Sequence, residues 1–518
     1  MERKWWTLIV VSTATFMLLL DITIVNVAVP QIASHLKAKF SDIQWVIDAY
    51  TLTLASLLLS AGALADLLGR RRVFSLGLVL FALASLLCAL SPSALFLILA
   101  RGAQGIGGAI MLSTGLALLA QDFHGRQRGT AFGIWGAIAG AAVAIGPLIG
   151  GVFTEELGWA SIFYLNVPVG IVAAVLAYTK VAESRNPDQT RVDWLGTVTF
   201  SAALFMLVFA IIRGEAEGWG STLIIGLFAG SVILLIVFLV AQVVQKHSML
   251  DVSLFGKPTF VGASLVAFAL AASMFSMFLY LNIFLQASLG LSALEAGLRF
   301  LPITILSFVV AAISGNLTAR MPVRFLLGGG LALVGAGLLM MRGINSTSHW
   351  TVLLAGSLVA GAGVGLVNPA LASTAIAVVS PQRSGMASGI NSSFRQLGTA
   401  TGIAVLGVLF ENKIATGLVS KFAGTPLASH ATAMAHAVSG GAAQTVLRTI
   451  PGAQRAQVLA AIHSTFADAT NATLLVAAIV AFTGAISGLV LVNQNDFAAY
   501  RIPESPASGG SGPTLADA

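Results

Sequence analysis

Long uninterrupted runs of apolar residues constrain the fold of this chain more than any other feature. An α-helix needs about 20 mostly apolar residues in a row to cross a bilayer, and such runs recur from residue 7 to residue 492. Only 9% of the 518 residues are charged, whereas about a quarter are charged in a soluble domain. Because the runs are continuous rather than alternating, they indicate spanning helices and not a β-barrel. We therefore predict an all-α integral membrane protein.

Fourteen segments have the length and composition of a spanning helix. They are predicted at residues 7–29, 45–64, 73–90, 94–119, 129–153, 162–178, 194–212, 223–243, 260–284, 296–313, 325–341, 351–378, 386–410 and 470–492. The one long connection between them, at 411–468, is predicted to be external.

An internal repeat relates the two halves of the chain. The pattern Gly62-x-Leu64-x-Asp66 after the second span recurs from Gly315 after the tenth, an offset of 253 residues, with Ala319 in place of the aspartate. Glycines at 105, 107, 129 and 133 recur at 361, 363, 385 and 389, an offset of 256 residues. Repeated halves that enclose a site near the midplane of the bilayer are typical of transporters.

The repeat predicts two pseudo-symmetric six-helix bundles with two further helices inserted between them. The predicted divisions are 1–180 for the N-terminal bundle, 181–258 for the inserted helices and linkers, 259–500 for the C-terminal bundle with its external loop at about 411–468, and 501–518 for a disordered cytoplasmic tail.

The distribution of basic residues predicts the orientation. With the N-terminus inside, the inner segments carry sixteen Lys and Arg residues and the short outer loops carry four, and such a bias marks cytoplasmic loops. Both termini are therefore predicted to be cytoplasmic, in the cell membrane. The same bias accounts for the net charge of +7, so no nucleic acid partner is expected. No cofactor and no metal site are expected either, and without a phosphate-binding G-x-x-x-x-G-K-[ST] motif no nucleotide is expected.

Charged residues within the predicted spans are few. A charge at the bilayer centre costs about 3 kcal/mol or more, so it usually faces a cavity or a partner. Asp21 and Arg101 should lie at similar depths, about 13 Å and 10 Å from the outer ends of their helices at 1.5 Å per residue. Burial favours a neutral carboxylic acid and a nearby guanidinium favours the carboxylate, so a change in their separation would load or release a proton. The alternative is a static buried pair that fixes helix packing.

Other polar residues in or near the spans are candidates for a substrate cavity. Asp48, between Trp45 and Tyr50, could attract a cationic substrate over stacked aromatic rings, or the three could form an interfacial belt. Arg395 could contact substrate or pair with backbone carbonyls, and the sequence does not decide between them. The amides of Asn26, Gln104, Asn282, Gln286, Asn368 and Asn391 could line the cavity or join helices. Of these, the predicted cavity residues are Asn26, Trp45, Asp48, Tyr50, Gln104, Asn282, Gln286 and Arg395.

Six motifs, in order along nearly the whole chain, resemble those of the major facilitator superfamily, and specifically of its fourteen-helix drug:proton antiporter branch. They are Leu20-Asp21-Ile-Thr-Ile-Val25-Asn26-Val-Ala28-Val-Pro30, Gly62-x-Leu64-x-Asp66-x-x-Gly69-Arg70-Arg71, Arg101-x-x-Gln104-Gly105-x-Gly107, Gly140-x5-Gly146-Pro147-x-x-Gly150-Gly151, Asn166-x-Pro168-x-Gly170 and Phe394-Arg395-Gln396-x-Gly398.

The resemblance implies the major facilitator fold and assigns roles to two of the motifs. The loop motif, which holds Gly62, Asp66, Gly69, Arg70 and Arg71, would gate access, with Asp66 reaching the other half near residues 384–385. The motif on the fifth span is associated with exporters.

The implied function is a monomeric, proton-coupled antiporter that exports amphipathic, cationic or neutral drugs or antibiotics by alternating access. Its partners would be the small-molecule substrate, protons and the lipid bilayer. The alternatives are export of an endogenous metabolite (a siderophore, an amino acid or a self-made antibiotic) and uptake by a symporter of the same fold. An intramembrane enzyme would need a nucleophile–base or metal set within the spans, and all seven histidines fall between the predicted spans. An enzyme is therefore not expected.

Overall fold

A computed structural model describes residues 2–38, 40–123, 125–185, 191–245, 248–318, 320–379, 383–423, 434, 452–493 and 496. Within these residues every regular element is a helix and no strand occurs. Helices satisfy their own backbone hydrogen bonds, which lipid cannot do for them. The predicted all-helical class is confirmed.

The first six long helices form the N-terminal half. They are α1 (Arg3–His35), α2 (Phe40–Leu68), α3 (Arg70–Ala89), α4 (Ala94–Asp122), α5 (Gly125–Leu157) and α6 (Asn166–Lys180), with a short helix at Ser161–Tyr164 before the last. The inserted pair is α7 (Trp194–Glu217) and α8 (Thr222–Val244).

The second half holds six more long helices. They are α9 (Pro258–Leu270), α10 (Leu301–Leu317), α11 (Val323–Met340), α12 (Leu354–Ala377), α13 (Ser384–Phe422) and α14 (Gly452–Leu491). Helix α9 continues through a π-helical turn at Ala271–Phe275, an α-helical segment at Ser276–Ile283 and a second π-helical turn at Phe284–Ser288. A short helix at Ala293–Arg299 precedes α10.

Twelve spans in the described part of the chain are long and apolar enough to cross a membrane. Two of the fourteen predicted spans are not among the twelve. The span at 129–153 lies on α5, a helix of 33 residues. The span at 296–313 is divided at Phe300, where Pro302 favours the start of a new helix, and its apolar part, Leu301–Gly315, is short. The predicted number of fourteen spans stays a prediction.

Two helices in the second half are longer than the sequence predicts. Spans were placed at 386–410 and 470–492, but α13 ends at Phe422 and α14 begins at Gly452. The predicted connection begins at residue 411, yet an apolar stripe at Phe410, Ile414, Leu418 and Phe422 is buried in the core of this half. Such i, i+4 spacing continues an amphipathic helix beyond the apolar run. His463 consequently lies in α14 and not in a loop.

Equivalent contacts in the two halves reproduce the sequence repeat. A β-carbon at Gly105 would collide with the carbonyl oxygen of Tyr50, and one at Gly361 would collide with that of Ile303. Ile303 follows Tyr50 by 253 residues and Gly361 follows Gly105 by 256. The same close approach of a glycine to a neighbouring backbone therefore occurs once in each bundle, as two pseudo-symmetric halves require.

The inserted helices are fastened to α2 and to each other by buried polar contacts. The hydroxyls of Ser60 on α2 and Ser201 on α7 are 2.8 Å apart. Asp193 caps α7 by accepting from the Gly196 amide at 2.7 Å, and its other oxygen accepts from Gln242 of α8 at 2.7 Å. Helix α7 therefore lies beside α2, next to the boundary between the two halves.

Both chain ends described by the structure lie at the same end of the bundle. Arg3 donates to the carbonyl of Val181 at 2.8 Å, and the Asn493 amide donates to Thr259 at 2.7 Å. We call this the terminal end and the opposite one the far end. The tail at 501–518 and most of the Ala-rich part of the long connection lie outside the described residues.

Candidate functional site

A fully buried carboxylate on α1 accepts hydrogen bonds at both of its oxygens. Asp21 Oδ2 accepts from Arg101 Nη1 at 2.5 Å. Asp21 Oδ1 accepts from Gln104 Nε2 and from Asn166 Nδ2, both at 2.9 Å. All four residues are at most 2% exposed. The structure thus brings together Asp21 and Arg101, which the helix rise placed at similar depths; their role in proton coupling stays a prediction.

The Arg101 guanidinium is held by more than the ion pair. Its Nη1 also donates to Gln104 Oε1 at 2.7 Å, and its Nε donates to the Val46 carbonyl at 3.2 Å. The guanidinium carbon lies 4.1 Å from the centre of the Tyr50 ring, a cation–π contact that is strongest away from water. Tyr50, predicted to line a substrate cavity, is instead packed inside the N-terminal bundle on this arginine.

A buried serine completes the cluster on the α3 side. Ser85 Oγ accepts from Gln104 Nε2 at 3.3 Å and from Asn166 Nδ2 at 3.1 Å, and it donates to the Phe163 carbonyl at 3.0 Å. Because the amides bridge the carboxylate and the serine, four helices are coupled to the charge on Asp21. Asn166 was not a predicted site residue. Its place in the Asn166-x-Pro168-x-Gly170 motif was the only signal for it, because its contact with Asp21 depends on the rotation of α6 about its axis.

The glycine motif of α5 brings this helix against α1 next to Asp21. A β-carbon at Gly146 would collide with Thr23, and one at Gly150 would lie 2.9 Å from Ile24 Cγ1. A β-carbon at Gly140 would lie 4.0 Å from Ser307 Oγ of α10, whereas one at Gly151 would have no atom within 4 Å. The side chains of Asn26 and Pro147 lie outside the described part of the structure. The role of the motif in export stays a prediction.

Asp66 on α2 joins the two halves at the terminal end. Its carboxylate accepts from the backbone amides of Gly385 at 3.2 Å and Met386 at 3.0 Å, in the first turn of α13. Arg70 pairs with the same carboxylate at 2.7 Å, and both side chains are buried. A helix N-terminus stabilises a negative charge, so the contact expected from the resemblance is present; its role in gating stays a prediction.

The rest of the loop motif holds the linker after α6. The Arg71 amide donates to Glu183 Oε1 at 3.1 Å, and the Arg70 amide donates to the Ser184 carbonyl at 2.8 Å. Gly69 has a φ of 110° and lies close against Glu183, a combination that only glycine adopts without strain. These contacts fix the loop to the N-terminal half, so that Asp66 is presented rigidly to α13.

A stripe of partly accessible side chains runs along α9 and its continuation. Phe275, Phe278, Asn282 and Gln286 follow one another at three- and four-residue intervals and are half-buried, while most of their neighbours are buried. Gln286 Nε2 donates to Asn282 Oδ1 at 3.0 Å. The two ends of this stripe, Phe275 and Gln286, lie within the two π-helical turns, and π-helical turns occur frequently at functional sites.

Arg395 of α13 lies against the same stripe. Its guanidinium carbon is 5.5 Å from the centre of the Phe275 ring. Residues 384–393 of α13 are all buried, whereas residues 394–397 are partly accessible. At 1.5 Å per residue, Arg395 lies about 16 Å along α13 from Ser384. Arg395 therefore lies at the Phe275 end of the stripe, and a substrate cavity shared by Asn282, Gln286 and Arg395 stays a prediction.

Trp45 and Asp48 lie where α2 meets the inserted helix α7. The rings of Trp45 and Phe209 are 5.6 Å apart, and the Arg213 guanidinium lies 5.8 Å from the Trp45 ring. Arg213 also pairs with Glu217 at 2.7 Å. A substrate contact of Trp45 or Asp48 stays a prediction.

Comparisons with known proteins agree on one family. The family model for the Major Facilitator Superfamily matches residues 11–403. The multidrug resistance protein Stp of Mycobacterium tuberculosis is 36% identical over 402 residues, 77% of this chain and 75% of that protein. The tetracenomycin C resistance and export protein of Streptomyces glaucescens is 32% identical over 501 residues, 94% and 91% of the two chains. The solved structure of the proton:xylose symporter XylE superposes with a TM-score of 0.58 at 14% identity, covering 86% of this chain and 96% of that one.

Proposed function

The chain belongs to the major facilitator superfamily, and from this premise we propose that it exports amphipathic drugs or antibiotics across the cell membrane in exchange for protons. Proteins of this family are multi-pass membrane transporters of small molecules, not enzymes. The relatives supply the first support for the finer proposal, since the two described above are named for multidrug resistance and for resistance to and export of tetracenomycin C.

The buried Asp21–Arg101 pair is the observation that carries the proton part of the proposal. Asp21 can exist as a carboxylate only while Arg101 and the two amides remain within hydrogen-bond distance, because an uncompensated buried charge costs several kcal/mol. A movement of α4 or α6 that removes these donors would favour uptake of a proton. Return of Arg101 would favour its release. The static buried pair remains the alternative, and the experiment below distinguishes the two.

The transport cycle that we propose alternates the open end of the molecule. In this cycle, the contact between Asp66 and the N-terminus of α13 would hold the terminal end closed. Protonation of Asp21 and loss of the Asp66 contact would then accompany opening at that end, which we place in the cytoplasm on the basis of its Lys and Arg residues. We propose a monomer as the transporting unit, because each chain carries both halves of the cavity.

The proposal is tested with inverted membrane vesicles that contain the protein and the neutral dye N-phenyl-1-naphthylamine. With an acidic lumen, the wild type should accumulate the dye as protons leave, and Asp21→Asn should abolish this accumulation while inserting normally. Glu217→Gln, which removes an exposed carboxylate on α7, should behave as the wild type. Accumulation by Asp21→Asn that still depends on the pH gradient would exclude Asp21 from the coupling.

Export of an endogenous metabolite is the second candidate for the substrate. The relative from Streptomyces glaucescens is named for both resistance and export, which favours a self-made antibiotic within this class. Growth of a sensitised host on a panel of antibiotics and metabolites separates the two candidates, because only the transported compounds gain a higher inhibitory concentration when the protein is expressed.

A further inference from the structure

We propose that the transported compounds include aromatic molecules that carry an anionic group, and that Asn391 and Arg395 bind this group. The inference rests on the proposed function, since it assigns the chemistry of the substrate that the same cavity accepts. Three features of α13 and of the stripe on α9 support it.

The first feature is a deep arginine without an acidic partner. Among the described residues, the Arg395 side chain makes no salt bridge and donates no hydrogen bond; its contact is the Phe275 ring at 5.5 Å. The seven ion pairs within that part of the chain all involve other residues. A guanidinium at this depth is costly unless it is paired or faces a cavity. Because Arg395 is partly accessible, a ligand in the interior can reach it.

The second feature is an orphaned amide one helical turn away. Asn391 is 5% exposed, and its Nδ2 has no hydrogen-bond partner among the described residues. A buried donor without an acceptor costs about 1–3 kcal/mol. Positions i and i+4 share one face of a helix, so Asn391 and Arg395 present donors to the same side of α13. One ligand carrying acceptor oxygens would satisfy both.

The third feature is an aromatic wall beside these donors. The Phe275 and Phe278 ring centres are 6.3 Å apart, and those of Phe278 and Phe300 are 5.3 Å apart. Such rings offer edge and face contacts to an aromatic ligand. The combination selects against cationic compounds, which Arg395 repels, and favours a carboxylate, sulfonate or phenolate attached to an aromatic framework. Pairing of Arg395 with a backbone carbonyl, which the sequence left open, does not occur among the described residues.

The test uses two dyes that share one ring system. 1-Anilinonaphthalene-8-sulfonate carries a sulfonate that N-phenyl-1-naphthylamine lacks. Equilibrium binding to the purified, detergent-solubilised protein should weaken about tenfold for the sulfonate in Arg395→Gln, a loss of about 1.4 kcal/mol. Binding of the neutral dye should stay the same, which also reports that the variant is folded. Arg395→Lys, which keeps the charge, should retain part of the sulfonate affinity, and Asn391→Ala should lose part of it.

Arg299→Gln is the matched control. This guanidinium is also half-buried and lies 5.5 Å from the centre of an aromatic ring, that of Trp350, but it donates to the Glu295 carbonyl at 3.1 Å. Its removal should leave the affinity for both dyes unchanged. Equal loss of both dyes in Arg395→Gln, an unchanged sulfonate affinity, or absence of sulfonate binding to the wild type would overturn the inference. Transport in vesicles is scored separately: sulfonate binding without transport of either dye contradicts the exporter and leaves the anion site standing.

Discussion

Three side chains donate hydrogen bonds to the oxygens of Asp21, and only one of them, Arg101, is charged. Arg101, Gln104 and Asn166 together offset the hydration that the buried carboxylate has lost. The amides of Gln104 and Asn166 cannot supply the compensating charge. In the coupling that we propose, the position of the Arg101 guanidinium decides whether Asp21 takes up a proton.

Arg101→Lys tests how far the shape of the guanidinium matters. Lysine keeps the charge but cannot reach Asp21, Gln104 and the Val46 carbonyl together, and each lost hydrogen bond to a charged group costs about 1.5–3 kcal/mol. We expect a clearly lower unfolding temperature in detergent and weaker proton-coupled transport. Arg324→Lys, on an exposed arginine, should change neither measurement. An unaltered unfolding temperature in Arg101→Lys would show that the additional bonds contribute little.

The sequence predicted the depth of Asp21 and Arg101 because depth follows from the rise of a helix. It did not predict that Asn166 completes the carboxylate shell or that Tyr50 packs on the arginine. These contacts depend on the rotation of each helix about its axis, and apolar runs on all faces of a span carry no information about rotation. The pairing of Arg395 with Phe275 was hidden for the same reason.

At the scale of helices, two buried aspartates occupy helix N-termini with different consequences. Asp193 caps α7 within the inserted pair, whereas Asp66 reaches from α2 to the first turn of α13 in the other half. The first contact can persist through a transport cycle. The second must break whenever the two halves separate at the terminal end.

Asp66→Asn and Asp193→Asn should therefore separate gating from stability. An amide cannot provide the negative charge that a helix N-terminus stabilises by about 0.3–1 kcal/mol, and by up to about 2 kcal/mol when partly buried. Asp193→Asn should lower the unfolding temperature and leave turnover per folded molecule unchanged. Asp66→Asn should change turnover several-fold with normal expression. Dye transport by purified protein in liposomes measures the turnover of both variants. Equal turnover in the two variants would contradict a gating role for Asp66.

Element boundaries followed from the sequence wherever an apolar run and the helix end together. They failed at α13 and α14, because a helix that leaves the lipid can continue on an apolar stripe buried against its partner. They also failed at Phe300, where one predicted span becomes two helices. The end of an apolar run and a proline are both visible in the sequence. Neither feature determines whether the helix continues or ends there.

At the scale of the whole molecule, the two halves meet through reciprocal glycine contacts. Gly62 of α2 lies against Gly385 of α13, and Gly129 of α5 lies against Gly315 of α10, so close that an added β-carbon would collide with the opposite carbonyl. Gly315 is the repeat equivalent of Gly62, and Gly385 that of Gly129. The fold is therefore closed at the terminal end by one contact used twice, with Asp66 reinforcing one copy.

A larger side chain at either of the two glycine contacts should favour separation of the halves. Gly385→Val and Gly129→Val each place atoms where a backbone now lies, so both should increase the rate at which a maleimide labels a cysteine at position 388 (Ser388→Cys, in a Cys88→Ser background). Ser388 is fully buried in this structure, and labelling requires access at the terminal end. Gly226→Val, on a face of α8 with no atom within 4 Å, is the control. Slow labelling in both test variants would mean that these glycines do not hold the end closed.

The glycine contacts also determine how abruptly the terminal end opens. At both glycine contacts backbone meets backbone directly, at the shortest separation that two helices can have. Dispersion attraction falls steeply with distance, and a gap of about 0.5–1 Å already forfeits a quarter to a half of it. Even a small separation of the helices thus loses a substantial part of the attraction, and the passage between closed and open forms is expected to be a switch with few populated intermediates.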